Sequence, residues 1–240
     1  MAVVDLHILT HAGTNPDWLD QALASCKGQP VNVHVIPNGS HIDQGRARGF
    51  ATGSADFVGI LDSDDWLLPG AVESCLEALA NRPDAVGAFT DEVRMRDGVQ
   101  VGVGESTGTG PWCPTRQLTR ISYARHLMVM RRAIVMPLLP VMSQHARLSE
   151  YVLRGLAVQQ GPWIHVERDG YVHREHDGNV SKVTPTTDGQ VRAAVLRVKP
   201  FLFPTRPVPT PEPRPPAPVP RGQLTPVQKA LLKRQCLTCG

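Results

Sequence analysis

The segment Phe57–Asp65 constrains the fold more than any other part of the chain, because an apolar run ends abruptly in three carboxylates. A buried strand can be apolar on both faces, but an unpaired charge inside it would be very costly. We therefore predict a strand that stops at Leu61 and leaves Asp62, Asp64 and Asp65 at its carboxyl end. Ligands bind at that edge in open α/β sheets.

The close spacing of these carboxylates indicates a divalent cation, since like charges repel one another unless something neutralises them. Mg²⁺ and Mn²⁺ prefer oxygen ligands, and Mg²⁺ is usually held by one or two carboxylates together with phosphates of the substrate. The segment thus predicts Mg²⁺ or Mn²⁺ and a phosphorylated substrate. The alternative is an acidic surface turn without a ligand.

Length and composition limit the classes of protein that fit. With 240 residues, 41% of them hydrophobic, the chain suits one domain with extensions or two small domains. No apolar run approaches the roughly 18–20 residues of a membrane span. Asp5 and His7 interrupt the pattern of a signal peptide, so we expect a cytoplasmic protein. Five cysteines, three of them scattered, do not suggest a disulfide framework.

Alternating strand and helix patterns predict an α/β fold. The predicted strands cover residues 3–9, 31–35, 57–61, 85–89 and 163–173. The predicted helices begin at Pro16, near residue 43, at Pro69 and at residue 148. Asn15 is expected to cap the first helix. This order is typical of a mainly parallel sheet with helices on its faces. Asp97-Gly98, between two valine-rich stretches, predicts a hairpin with a tight turn.

The composition changes near residue 200, where ten prolines fall between Pro200 and Pro220. We predict a domain at 1–199, an extended linker at 200–222 and a short basic helical tail at 223–240. Residues 181–240 contain ten Lys/Arg and two acids, which leaves residues 1–180 with a net charge of −5 out of the total of +3. A basic tail on an acidic body favours an anionic partner.

Several segments match one known pattern in the same order. Arg46-Ala47-Arg48-Gly49, then Phe57-Val58, then Leu61-Asp62-Ser63-Asp64-Asp65 resemble the Arg-x-x-Gly, Tyr-Ile and Leu-Asp-x-Asp-Asp run of family 2 glycosyltransferases. The resemblance covers about residues 3–182. It implies the GT-A fold, a Rossmann-like, mainly parallel sheet flanked by helices, here with a proline-rich C-terminal extension. It also implies an inverting enzyme that uses a nucleotide-diphosphate sugar, with a UDP-sugar as the expected donor.

The resemblance assigns roles to the acidic segment. Asp62 and Asp64 would hold the metal and the nucleotide sugar, with Ser63 between them in the donor site, and Asp65 would support the site from beside it. Arg46 would lie near the nucleotide or its diphosphate, although an ordinary surface arginine is the alternative.

Two further segments fall where the family begins and completes its nucleoside pocket. Thr10 and His11 follow the first predicted strand. Asn38 stands where the family usually has an acid, and its amide still offers both a donor and an acceptor to a nucleobase edge.

Two later segments supply the remaining expected groups. Ser149-Glu150-Tyr151-Val152-Leu153 resembles the family's Glu-Asp-x-x-Leu, which places Glu150 as the catalytic base that removes the proton of the acceptor hydroxyl. The alternative is a helix-start acid stabilised by the helix dipole. Residues 173–181 resemble Tyr-Arg-x-His-x-x-Asn-x-Ser. His176 would contact the metal or the diphosphate, and Arg174 would neutralise phosphate charge.

The acceptor is left open by the sequence. The basic tail suggests DNA with hydroxymethylated bases, as found in some bacteriophages, which would place a phage-encoded enzyme in the cytoplasm of its bacterial host. A cell-surface saccharide or a protein is the alternative acceptor. The chain could also be a non-catalytic sugar-nucleotide binding module or a nucleotidyl transferase. Cys236 and Cys239 supply half of a zinc site, or form an inert tail.

Overall fold

A computed structural model describes residues 2–37, 41–145, 147–183 and 185–204. Most of the predicted linker, the basic tail and the Cys236/Cys239 pair lie outside the described residues, as does Asn38. The predictions for them therefore stay predictions. No helix in the described part of the chain has the length and apolarity needed to cross a bilayer.

The described strands form one sheet. They are β1 (Val4–Thr10), β2 (Val31–Pro37), β3 (Phe57–Asp62), β4 (Trp66–Leu67), β5 (Gly87–Arg96), β6 (Val99–Val103), β7 (Met128–Arg131) and β8 (Trp163–Arg174). Their order across the sheet is β2-β1-β3-β7-β5-β8-β4, and β6 pairs with β5. The predicted α/β class is thus confirmed, and all five predicted strands are present.

The helices flank this sheet. They are α1 (Pro16–Ser25), α2 (Ile42–Ala51), α3 (Ala71–Asn81), α4 (Pro114–Thr119), α5 (Arg132–Val135), α6 (Leu139–Met142), α7 (Ser149–Ala157), α8 (Val180–Val183) and α9 (Asp188–Leu202), with a 3₁₀ turn at Met136–Leu138. The α1 start is as predicted, because the Asn15 side chain accepts hydrogen bonds from the N–H groups of Asp17 and Trp18.

The sheet is mainly parallel, as predicted, since β1, β2, β3, β5 and β8 all run in one direction, but it also contains antiparallel strands. β1 runs parallel to β2 and β3, and β5 runs parallel to β8, but β7 is antiparallel to both β3 and β5. Residues 104–127 connect β6 to β7, and both of these strands run antiparallel to β5. Such a long connection has no local sequence signal, because the partners of β7 lie far away in the chain.

The core occupies both faces of the sheet, as an apolar strand such as β3 requires. Leu61 packs on the side of α1 and α3, whereas Val58 and Ile60 pack on the side that includes Phe50 and Leu153. Because both faces are covered, the acids after Leu61 can reach water only beyond the end of the strand. The fold therefore directs them to the carboxyl edge.

The β5–β6 hairpin is confirmed, with a tight turn in which Asp97 has φ 50° and Gly98 has φ 79°. β5 is longer than predicted, however, and joins the predicted strand at 85–89 to the first strand of the hairpin. Polar residues interrupt the apolar pattern at Thr90, Asp91 and Glu92, yet all three are buried because β8 pairs with this part of β5.

The folded unit extends past the predicted boundary at residue 199. α9 continues to Leu202 and includes Pro200, and the compact unit ends at Pro204. The reason is packing against α7: Ala194, Val198 and Leu202 repeat every four residues and are all buried.

Candidate functional site

A cavity of about 510 Å³ lies at the carboxyl ends of β1 and β3, the edge that the sequence predicted for ligand binding. This volume falls within the range of about 300–1,000 Å³ that is common for small-molecule sites. The lining residues are Leu9, His11, Gly13, Thr14, Asn15, Trp18, Ile42, Arg46, Asp62, Ser63, Asp64, Ile121, Ser122, Arg125, Arg147, Leu148, Ser149, Glu150, Tyr151, Arg154, His173, His176, Gly178, Asn179 and Thr186.

Most of the residues that the sequence singled out meet in this cavity. The predicted site residues on its walls are His11, Arg46, Asp62, Ser63, Asp64, Glu150 and His176. Thr10 is the last residue of β1 and Arg174 the last of β8, and both lie beside the cavity lining without being part of it. The sequence did not predict a role for Trp18 or for the three arginines Arg125, Arg147 and Arg154.

Asp64 and His176 face each other directly. Oδ2 of Asp64 and Nε2 of His176 lie 3.0 Å apart, and both side chains are partly exposed. The ring of Trp18 packs on that of His176, with 4.6 Å between the ring centroids. Asn179 holds the loop in place: its Oδ1 accepts the His176 N–H at 2.7 Å, and its Nδ2 donates to the Arg174 carbonyl at 3.0 Å. The Arg-x-His-x-x-Asn spacing therefore builds a loop that presents His176 to Asp64.

The guanidinium of Arg46 pairs with both Asp62 and Glu150. Arg46 is 5% exposed, donates from Nη2 to Oδ1 of Asp62 at 3.0 Å, and forms an ion pair through Nη1 with Oε1 of Glu150. Burial opposes the charge on Arg46, but the two carboxylates outweigh it and raise its pKa. Burial also raises the pKa of Asp62, but the nearby cations, Arg46 foremost, outweigh it and hold this pKa well below its usual range. Arg46 therefore links the two acids at the wall of the cavity.

Asp65 is turned away from the cavity into a buried network. Its carboxylate accepts hydrogen bonds from the Tyr171 hydroxyl at 2.7 Å, the Arg174 N–H at 2.7 Å and Nδ1 of His173 at 3.2 Å. Burial is the main reason that the pKa of Asp65 is raised to about 6. Burial lowers the pKa of His173, but the hydrogen bond and charge of Asp65 outweigh it and raise that pKa. The Tyr171 hydroxyl also accepts the N–H of Asp62 at 3.1 Å, so this network fixes the backbone of the acidic segment.

Arg174 is occupied by protein partners. Its guanidinium lies over the rings of Trp18 and Trp66, 5.0 and 4.8 Å from their centroids. Nε donates to the Asp64 carbonyl at 2.9 Å, and Nη2 donates to the side chain of Gln21. Arg174 therefore contacts both the turn after β3 and the ring of Trp18, and its charge lies close to Asp64.

Among the described residues, no three His, Cys, Asp or Glu side chains are close enough together to enclose a metal ion. The Asp64–His176 pair nevertheless fits a partial site, since 3.0 Å is the separation of two adjacent ligands on an octahedral ion with bonds of about 2.1 Å. One oxygen and one nitrogen ligand suit Mg²⁺ or Mn²⁺ when substrate phosphates complete the shell. Asp62 is engaged by Arg46 in this arrangement.

Comparisons with known proteins identify the family that the chain matches and structures that share its fold. The sequence profile of the family described as Glycosyl transferase family 2 matches residues 13–135, about half of the chain. No curated protein matches the chain.

Solved structures of S. aureus TarS share the fold at 11% sequence identity. TarS 1–349 has a TM-score of 0.57, with 72% of this chain and 60% of that one covered. Its complex with UDP has a TM-score of 0.59, with 82% and 66% covered, and its complex with UDP-GlcNAc a TM-score of 0.56, with 77% and 62% covered. The chain thus spans less than two thirds of these TarS chains.

Proposed function

The chain belongs to glycosyl transferase family 2, and we propose that it moves a sugar from a nucleotide-diphosphate sugar to an acceptor hydroxyl, with metal dependence and inversion at the anomeric carbon. One observation carries the proposal: the Asp64–His176 pair and the carboxylate of Glu150 open onto the same cavity. Glycosyl transfer needs a place for the diphosphate leaving group and a base for the acceptor. The cavity offers a candidate for each.

The donor is proposed to occupy the side of the cavity formed by the ends of β1 and β3. His11 and Asn15 lie there. Thr10 and Asn38, which the family resemblance predicts, are proposed as further contacts to the nucleoside. UDP is the proposed nucleotide, supported by the TarS complexes with UDP and UDP-GlcNAc. The ring of Trp18 gives this side a flat apolar wall.

Asp64 and His176 are proposed to hold Mg²⁺ or Mn²⁺, with Asp62 beside them. The bound ion would supply Lewis-acid stabilisation of the charge that develops on the leaving diphosphate. Arg46 and Arg174 add fixed positive charge behind these groups, since both are held in place by protein hydrogen bonds. Preorganised charge of this kind stabilises a transition state without any reorganisation during the reaction.

Glu150 is proposed to take the proton of the acceptor hydroxyl. It lies in the first turn of α7, and its ion pair with Arg46 fixes the direction of the carboxylate. The oxygen of the acceptor then attacks the anomeric carbon from the face opposite the diphosphate, which inverts that carbon. Arg46 also donates a hydrogen bond to Asp62, so it connects Glu150 to the donor side of the cavity.

The test is UDP release from UDP-sugars with Mn²⁺, with and without a chelator, in wild type and Asp64→Ala. We expect release to require both the metal and Asp64. Asp56→Ala is the matched control, because Asp56 is an exposed acid that precedes β3. Release that persists with chelator and in Asp64→Ala would contradict the proposal. Pyrophosphate release would favour nucleotidyl transfer, and binding without release would favour a binding module.

For the acceptor, we propose DNA with hydroxymethylated bases, reached through the basic C-terminal residues; a cell-surface saccharide or a protein is the alternative. The support is the net charge of +8 over residues 181–240. The full chain and residues 1–204 should differ in a gel shift on plain and hydroxymethylated DNA, and binding should weaken steeply between two salt concentrations. Equal shifts by the two proteins would argue against DNA.

A further inference from the structure

Arg154 is a buried cation with unused hydrogen-bond donors on the wall of the cavity. It is 1% exposed, and Nη2 donates to the Ile121 carbonyl at 3.0 Å. Nε and Nη1 are buried and have no hydrogen-bond partner among the residues that the structure describes. A buried charged group normally has its donors filled, because leaving them empty is costly. An empty pair on a cavity wall therefore indicates a ligand.

Arg125 brings a second charge to the same wall. It lines the cavity and makes no hydrogen bond or ion pair with any described residue. Burial opposes its charge, but Asp62, Glu150 and Glu92 are near enough to outweigh this and raise its pKa. Arg125 thus stays charged beside the base, with its donors available.

The two arginines are not needed to neutralise Glu150, because that carboxylate is already paired with Arg46. Glu150 and Arg154 are four residues apart on α7, so they share one helix face with about 5–6 Å between their Cβ atoms. A ligand held by Arg154 would therefore lie next to the base. The Asp64–His176 pair comes from the turn after β3 and the loop after β8, so the donor phosphates have a separate location.

We propose that Arg125 and Arg154 bind an anionic group of the acceptor, a phosphate or a carboxylate, next to Glu150. This inference rests on the proposed function, because it assumes that the acceptor enters beside Glu150. Arginine suits the task, since its planar fork donates two parallel hydrogen bonds to either anion. A neutral acceptor of the same shape would leave these charges unpaired and bind less tightly.

The test compares three molecules with a common skeleton: glycerol, glycerate and glycerol 3-phosphate. Each is titrated by calorimetry into the full chain, with and without saturating UDP and Mg²⁺. We expect at least one anion to bind about tenfold or more tightly than glycerol, and the stronger of the two identifies the preferred group. Arg154→Gln and Arg125→Gln should each reduce that preference about tenfold, since one charge-assisted contact is lost.

Arg192→Gln is the matched control, because it removes an equal charge from an exposed position on α9. Circular dichroism checks the fold, and if Arg154→Gln does not fold, Arg125→Gln decides. The inference is wrong if neither anion is preferred over glycerol, or if the preference survives in every folded arginine variant. It is also wrong if these variants lose affinity for UDP instead, since the arginines would then serve the donor. Absence of UDP binding in wild type would count against the proposed function, whereas the anion titration without UDP would still decide this inference.

Discussion

Asp5 is predicted to be a major source of stability at the edge of the sheet opposite the cavity. It is 1% exposed, and its Oδ1 accepts hydrogen bonds from Asn32 at 3.0 Å and pairs with His34 at 3.0 Å. Oδ2 accepts the Ala55 N–H at 2.8 Å and pairs with Arg132 at 2.6 Å. One carboxylate therefore joins β1 to β2, to the turn before β3 and to the start of α5, so Asp5→Asn should destabilise the protein without changing the cavity.

The size of the effect follows from the pKa of Asp5. Burial raises this pKa, but the hydrogen bonds from His34, Ala55 and Asn32 outweigh it and lower the pKa from 3.8 to about 2. That difference corresponds to about 2.5 kcal/mol in favour of the charged form in the folded state. Because the folded-state pKa is the lower one, this stability is fully present above pH 4 and is lost as the pH falls towards 2.

Urea unfolding of wild type and Asp5→Asn at pH 7 and at steps from pH 5 to 2 measures both effects. At pH 7 the variant should lose about 2.5 kcal/mol, or about 5–10 °C in Tm. Its loss of stability between pH 4 and 2 should be correspondingly shallower. Asp56→Asn is the control, since an exposed substitution changes stability by about 0.5 kcal/mol or less. Equal stability at pH 7, or parallel losses below pH 4, would refute the reasoning.

Three further predictions concern the cavity and the helix contact behind it. Asp64→Asn should weaken Mn²⁺-dependent UDP binding more than Asp62→Asn, because Asp64 faces His176 whereas Asp62 is paired with Arg46; calorimetry with Mn²⁺ and UDP compares them. Glu150→Gln should keep UDP affinity within about threefold but slow transfer by about 10²–10⁴-fold, since a general base is lost; normal turnover would refute its role. Gly155→Ala should destabilise by about 1–3 kcal/mol in urea, because its Cβ would lie 2.5 Å from Cγ1 of Val198; Val198→Ala in the same chain should restore part of the loss.

The parts of the fold with local signals were predictable from the sequence. Asn15 before Pro16 marks a helix start, and Asp97-Gly98 marks a turn, because each residue type satisfies its own local geometry. The acids after Leu61 locate a strand end for a similar reason, since unpaired carboxylates cannot stay inside an apolar strand. In contrast, β7 lies antiparallel between β3 and β5, and both of these strands precede it by more than 30 residues in the sequence. No local pattern therefore indicates this pairing.

The cavity was predictable only where a motif marked it. Asp64 and His176 were expected together from the family resemblance, and the structure places them 3.0 Å apart. Arg154 was missed because an arginine in a helix is usually exposed. Its spacing of four from Glu150, on a helix that is otherwise largely apolar, was the available signal. That signal becomes meaningful only when the packing of α9 on α7 shows that α7 is buried all round.

The three acids that follow Leu61 look equivalent in the sequence, but the fold gives each a different partner. Asp65 accepts hydrogen bonds from Tyr171 and His173, and its burial raises its pKa to about 6. Asp62 is held ionised by nearby cations, above all Arg46. Asp64 remains 29% exposed and faces His176. Two of the acids, Asp62 and Asp65, are thus already engaged by hydrogen bonds from the protein itself. A cation bound by the third would therefore respond mainly to Asp64 and His176, while Asp62 acts through Arg46 on the position of Glu150.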